Sequence, residues 1–262
     1  MDLGLRGLAA VVTGGSRGIG RAIALTLADE GASVAICARG IAGVEATLEE
    51  LGARGVGRFG AAVDVSDAVA TEGFVDAAAV ALGRLDILVN NVGGTVGAGV
   101  VDSTDEEWQR TFDLNLFPAV RASRAAIPHM RWGGGGSIVN ISSISGHHPG
   151  PGSQYATAKA AVIFLSRAMA LELSGDGVRV NAVCPGSIVF PEGGWARFRE
   201  RDPGAYRRFE LDEFPAQRLG SAEEVARVVA FVASPAAEWV NGASIDVDGA
   251  QQRPGPFSVR RR

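Results

Sequence analysis

Leu8-Ala9-Ala10-Val11-Val12-Thr13-Gly14-Gly15-Ser16-Arg17-Gly18-Ile19-Gly20 is the stretch that decides the fold of this chain. An apolar run ends in a glycine-rich turn, and from Gly18 onward Ile19, Ala22, Ile23 and Leu27 recur at helical spacing. Strand, tight turn and helix in that order bring backbone N–H groups to the positive end of a helix, where a pyrophosphate binds. A glycine-rich turn alone is weak evidence; between a strand and a helix it is the context that dinucleotide binding requires. The spacing here, G-x-x-x-G-x-G over Gly14, Gly18 and Gly20, differs from the common G-x-G-x-x-G fingerprint.

Outward from that turn the pattern repeats. Strand-like apolar runs at 33–38, within 56–65, and at 86–89, 137–141, 178–183 and 244–247 alternate with helix-like stretches. The helices are predicted at 18–30, 44–51, 67–82, 104–130, 154–173 and 221–233, with Thr104 and Ser221 as N-caps and Glu224 completing a capping box. Strands that read as continuous apolar runs belong to a parallel sheet buried on both faces. The alternation predicts a single-domain α/β fold over residues 1–262, a doubly wound (Rossmann) parallel sheet with helices on both faces. One segment, 187–217, breaks the rhythm and reads as an insertion after a strand end, the usual place for a lid or a loop.

Lys159 is the single lysine of a chain that otherwise writes positive charge as arginine, and it lies four residues after Tyr155. Positions i and i+4 share a helix face, so ammonium and phenol can lie side by side. A free phenol has a pKa of about 10, and a nearby cation lowers it toward the range useful for acid–base work. Lysine suits this as a compact charge with a tunable pKa, whereas arginine keeps its proton. Ser142 and Ser143 lie upstream.

Composition excludes several classes. With 47% hydrophobic and 21% charged residues the chain reads as an ordinary soluble globule. A net charge of −4 argues against nucleic acid, and the Arg260–Arg262 tail reads as a solvated end. No signal-peptide pattern opens the chain and no apolar window has membrane-spanning length. Cys37 and Cys184 read as buried thiols of a reducing compartment, a disulfide being left open, and the expected location is the cytoplasm. His147 and His148 beside serines lack a G-x-S-x-G elbow and metal-ligand spacing, so no metal site is expected.

Taken together, Thr13-Gly14-x-x-x-Gly18-x-Gly20, Asp64, Asn90-Asn91-Val92-Gly93, Asn115, Ser142-Ser143, Tyr155-x-x-x-Lys159, Pro185-Gly186 and Val247-Asp248-Gly249 resemble the short-chain dehydrogenase/reductase family across about residues 7–250, and within it the 3-oxoacyl-[acyl-carrier-protein] reductase-like subgroup. The resemblance implies a general acid/base at Tyr155, assisted by Lys159, by a serine that orients the substrate oxygen and by Asn115, which holds a water. Position three residues before Gly146 selects Ser143, although the usual interval before the tyrosine points to Ser142; the loop between is one residue short, and the reading takes Ser143. Cofactor contacts are implied for Gly14, Ser16, Arg17, Gly18, Ile19, Gly20, Arg39, Asp64, Val65, Asn91, Gly93, Tyr155, Lys159, Pro185, Gly186 and Ile188, while Asn90 supports the central strands. An acid at the end of the second strand would select NAD; its place is taken by Ala38, followed by Arg39, and Arg17 lies in the turn, so NADP(H) is favoured over NAD(H). Phe190 and Val92 stand where many relatives have threonine and alanine.

The implied function is hydride transfer between NADP(H) and a small-molecule carbonyl or secondary alcohol. Alternatives are an NAD-dependent alcohol dehydrogenase of the same fold or a nucleotide-binding scaffold without turnover. In the insertion, Trp195, Phe198, Tyr206, Phe209 and Phe214 suggest helices with an apolar face, either covering a bulky substrate or packing on the chain's own core. By resemblance, the helices at 104–130 and 154–173 form the interface of a homodimer or homotetramer.

Overall fold

The computed structural model describes residues 2–148 and 152–251; the Arg260–Arg262 tail and part of the loop before Tyr155 lie outside them. The order is β1 (Ala9–Thr13), α1 (Gly18–Asp29), β2 (Ser33–Ala38), α2 (Ile41–Gly52), β3 (Arg58–Ala62), α3 (Ala68–Leu82), β4 (Ile87–Asn90), α4 (Asp105–Asn115), α5 (Phe117–Trp132), β5 (Gly136–Ile141), α6 (Ser153–Leu173), β6 (Val178–Pro185), β7 (Ile188–Val189), α7 (Gly194–Arg201), α8 (Pro203–Glu213), β8 (Gly220–Ser221), α9 (Ala222–Ala233) and β9 (Ser244–Val247). Seven strands form one parallel sheet in the order β3-β2-β1-β4-β5-β6-β9, and β7 and β8 pair separately. This is the doubly wound Rossmann arrangement. Strand order reverses between β1 and β4, and such a switch point opens a crevice at the carboxyl ends of the strands.

The sheet is buried on both faces, as its apolar runs require. Alternate residues of each strand go to opposite sides: Val12, Ile36, Val89 and Val139 join α1 and α9 in one core, while Val11, Ala35, Leu88 and Ile138 join α3, α5 and α6 in the other. Each fully buried Val, Ile or Leu contributes about 1.5–3 kcal/mol, so this two-sided packing fixes the register of the strand ends that carry the site.

One sequence expectation is corrected. The single helix predicted at 104–130 is two helices joined at Leu116. Pro118 has no N–H for the carbonyl four residues back and its ring crowds it, so the helix restarts there with the proline in its first turn. The capping boxes of Thr104–Glu107 and Ser221–Glu224 form. The insertion forms α7 and α8, whose aromatic rings pack on one another: Trp195 stacks on Phe209 with centroids 4.6 Å apart, and Tyr206 and Phe214 are buried. Both cysteines are free and buried. Among the described residues no helix is long and apolar enough to cross a membrane.

Candidate active site

The glycine-rich turn follows β1 at the switch point. Gly14 and Gly18 adopt φ of +68° and +55°, the left-handed region that favours glycine. A Cβ on Gly20 would meet the Gly14 carbonyl at 2.2 Å and the Asn91 amide at 2.4 Å, so the turn closes only without a side chain there. The start of α1 has no side-chain cap and no acidic residue in its first turn, which leaves its N–H groups and positive dipole end for an anion. The Phe190 ring lies against Gly18, where a Cβ would approach it to 2.9 Å, so this aromatic side chain walls one side of the turn.

Around that turn stand the other residues expected to hold a dinucleotide. Arg17 and Arg39 are exposed, and neither lies within ion-pair distance of a carboxylate among the described residues. Asp64, just beyond β3, is held below the usual carboxylate range by bonds from Ser66 and then by the charges of Arg39 and Arg110; Val65 beside it is buried. Asn91 spends its side chain inside the protein, donating to the Thr13 and Gly14 carbonyls at 3.1 and 3.3 Å. It braces the turn. Asn90 is tied to Asn140 and Ser123 at 2.8 and 3.1 Å in the sheet core. Ser16 and Ile19 lie in the turn and the first turn of α1. Pro185 ends β6, Gly186 follows it, and the buried Ile188 begins β7.

The two serines follow directly on β5. Ser142 is buried and its hydroxyl donates to the Lys159 carbonyl at 2.8 Å, pinning strand to helix. The Ser143 side chain instead reaches the Tyr155 phenol and accepts from the Ser145 N–H at 3.1 Å. Thus Ser143 and Tyr155 form the hydroxyl pair. Lys159 is 3% exposed; its Nζ donates to the Ile141 carbonyl at 2.9 Å and lies 5.7 Å from the centroid of the Tyr155 ring. The shared face predicted for the two side chains is therefore present.

The electrostatics differ from the sequence expectation. Burial pushes the Tyr155 phenol up, more than the Ser143 bond lowers it. The Lys159 ammonium, which stands beside the ring, also donates to the Ile141 carbonyl. Burial also lowers Lys159 to about 8, against the opposing effect of the neighbouring Cys184. Cys184 itself is pushed up to about 12, first by burial and then by Asp246. Gly93 fits between Lys159 and Asn115, where a Cβ would lie 2.9 Å from Nζ and 2.8 Å from Oδ1. Asn115, at the end of α4, donates to the Gly94 carbonyl at 2.6 Å and accepts from its N–H at 3.2 Å, holding the 93–94 loop against the site.

Sequence reading passed over Gln154, which precedes Tyr155. It is fully buried and donates to the Val96 carbonyl at 2.9 Å and Ser103 at 3.0 Å, fixing the start of α6 to the 96–103 loop. A lone polar residue in a helical first turn gives no signal of this. Together these residues can do two things: cradle a phosphate-bearing nucleotide at the glycine turn, and offer two hydroxyls and a buried amine to an oxygen nearby. The glycine turn at the start of α1 and the exposed Arg17 and Arg39 beside it fit a dinucleotide.

The chain matches the Enoyl-(Acyl carrier protein) reductase family over residues 14–250. It is 37% identical over 242 residues to the 3-oxoacyl-[acyl-carrier-protein] reductase FabG of Staphylococcus aureus, covering 92% of this chain and 96% of that one. Among solved structures it resembles L-sorbose reductase from Gluconobacter frateurii complexed with NADPH and L-sorbose, at TM-score 0.90 and 33% identity over 96% of this chain and 98% of that one. A 7 alpha-hydroxysteroid dehydrogenase complexed with NADH and 7-oxo glycochenodeoxycholic acid matches at TM-score 0.89 and 32% identity, over 96% and 97% of the two chains.

Proposed function

This chain belongs to the short-chain dehydrogenase/reductase family, and from that premise we propose that it reduces a small-molecule ketone to a secondary alcohol with NADP(H). The observation that carries the reading is the convergence of the Ser143 and Tyr155 side chains beside the buried amine of Lys159. A nicotinamide dinucleotide, once bound, would supply the hydride. Gly14, Ser16, Arg17, Gly18, Ile19 and Gly20 would hold its pyrophosphate end, with Arg39, Asp64 and Val65 toward the adenosine and Gly93, Pro185, Gly186 and Ile188 toward the nicotinamide; Asn91 acts by holding the turn.

The chain's own residues manage the proton. A carbonyl that gains hydride leaves negative charge on oxygen, and two convergent hydroxyls stabilise it as it develops. Ser143 orients that oxygen. Tyr155, whose phenol burial keeps protonated, donates its proton to that oxygen in reduction and takes one back in the reverse reaction. Lys159 presents a cation along one side of the phenol and favours the phenolate left behind. Asn115 fixes the 93–94 loop beside Lys159, where a water linking the amine to solvent would sit.

NADP(H) is favoured over NAD(H) because Ala38 ends β2 where a carboxylate would bind a ribose, and Arg17 and Arg39 offer guanidiniums to a 2′-phosphate. Helices α7 and α8, held together by aromatic rings packed on one another, would form a lid over the substrate. The exposed Phe164 and Leu171 of α6 support a homodimer or homotetramer. The proposed location is the cytoplasm.

The test is Tyr155→Phe, assayed with NADPH against a panel of ketones and with NADP⁺ against the matching alcohols. Loss of an acid–base group lowers kcat by about 10²–10⁴-fold, with nucleotide affinity kept. Parental turnover by this variant sinks the reading.

A further inference from the structure

Beyond Ser143 the chain makes a 3₁₀ turn, Ile144–Gly146, and then places His147 and His148 with ring centroids 5.9 Å apart. Asp246, on edge strand β9, comes to the same place. His147 Nδ1 lies 2.7 Å from Asp246 Oδ1, and its Nε2 lies 2.7 Å from Ser244 Oγ. One donor atom from each of His147, His148 and Asp246 falls within 4.8 Å of the other two. We propose that His147, His148 and Asp246 form a binding site for a divalent transition-metal ion of the zinc type.

The donor set points to the ion. Two imidazoles and a carboxylate suit Zn²⁺, Co²⁺ or Ni²⁺, whereas Mg²⁺ and Ca²⁺ prefer oxygen ligands throughout. Donors around a tetrahedral ion at about 2.0–2.1 Å lie about 3.3 Å apart, between the 2.7 Å of the His147–Asp246 pair and the 4.8 Å that bounds the set, so the pair would open slightly as the ion enters. The ion takes the place of the direct contact between His147 Nδ1 and Asp246 Oδ1. Ser244 then supplies what metal-bound imidazoles generally have, an oxygen that takes the proton on the other ring nitrogen and fixes its orientation. The His147 and Asp246 side chains are 22% and 33% exposed, enough for an ion to enter and keep a water.

The order Ser244–His147–Asp246 also has the pattern of a hydrolase relay. Ser244, however, lies within a strand and not at a sharp turn that presents N–H groups to an oxyanion, so His148 in the cluster favours a metal. Adjacent histidines carry no ligand spacing along the sequence; the third ligand arrives from β9 only through the fold. An ion here staples residues 147–148, just beyond Ser143, onto the sheet edge.

The experiment uses the full chain, untagged and stripped with chelator, titrated with CoCl₂ and then ZnCl₂ by visible absorption and calorimetry. One equivalent should bind with a Kd of about 1 μM or tighter, with cobalt bands displaced by zinc. His148→Ala and Asp246→Asn should each weaken binding by at least about tenfold, while NADPH fluorescence titration reports an intact fold. If Asp246→Asn loses nucleotide binding, His148→Ala alone decides. Absence of saturable binding below millimolar concentration, or parental affinity in His148→Ala, overturns the proposal.

Discussion

Exchanging each of two adjacent serines for alanine should separate stability from rate. Ser142 Oγ donates to the Lys159 carbonyl at 2.8 Å in a buried position. Ser142→Ala removes one such bond, and the carbonyl keeps its partner within the helix, so the loss is about 1–2 kcal/mol. Unfolding entropy of about 2.1 cal/mol/K per residue makes that a Tm decrease of roughly 2–4 °C for a chain of this size. Turnover should change by less than about threefold, because the hydroxyl faces the helix backbone. Ser143→Ala removes a more exposed bond from the Ser145 N–H at 3.1 Å, costing about 0.5–1 kcal/mol. It also removes the hydroxyl beside the Tyr155 phenol, which should lower kcat/KM by about 10²–10³-fold. Thermal unfolding followed by fluorescence and NADPH oxidation at saturating ketone measure the two effects. A Ser142→Ala protein that loses as much rate as Ser143→Ala, or a fully active Ser143→Ala protein, refutes the assignment.

Lys159 gives a pH prediction. Its folded pKa of about 8 lies below its ordinary value of 10.5, so the burial penalty is fully present below pH 8 and is relieved as pH rises toward 10.5, where the unfolded chain holds more protons. The stability advantage of Lys159→Met over the parent should therefore shrink across that window, by roughly 3 kcal/mol at the limit; urea midpoints at about pH 7.5, 9 and 10 report it, and a constant gap disproves the burial account. Arg39→Ser should raise KM for NADPH by about tenfold and leave KM for NADH within about twofold; equal effects on both argue against a 2′-phosphate contact. Trp195→Ala removes the ring stacked on Phe209 and should cost about 2–3 kcal/mol locally. Faster proteolysis within 187–217 together with a raised KM for the ketone is expected, and no change in KM discards the lid.

Local chemistry made much of this protein legible before any tertiary contact was known. The turn at Gly14–Gly20 reads correctly because positive φ and close approach at a strand–helix junction are demands that neighbouring residues state themselves. The strands read as a two-sided parallel sheet because Val11 and Val12 must face opposite cores. Tyr155 and Lys159 share a helix face by periodicity alone. The break at Leu116 was also written locally, in Pro118, but apolar periodicity on both sides of it masks the stop.

What the sequence determined by itself was the alternation of elements, the glycine turn and the phenol–amine pair, each set by interactions over a few residues. Only the folded chain decided that Ser142 is spent on the Lys159 carbonyl, that Asn91 braces the turn, that the lysine is spent partly on the Ile141 carbonyl, and that Asp246 meets two histidines. Those outcomes depend on where side chains from distant segments point once the sheet has packed, and neither spacing nor residue type along one strand or helix contains that direction.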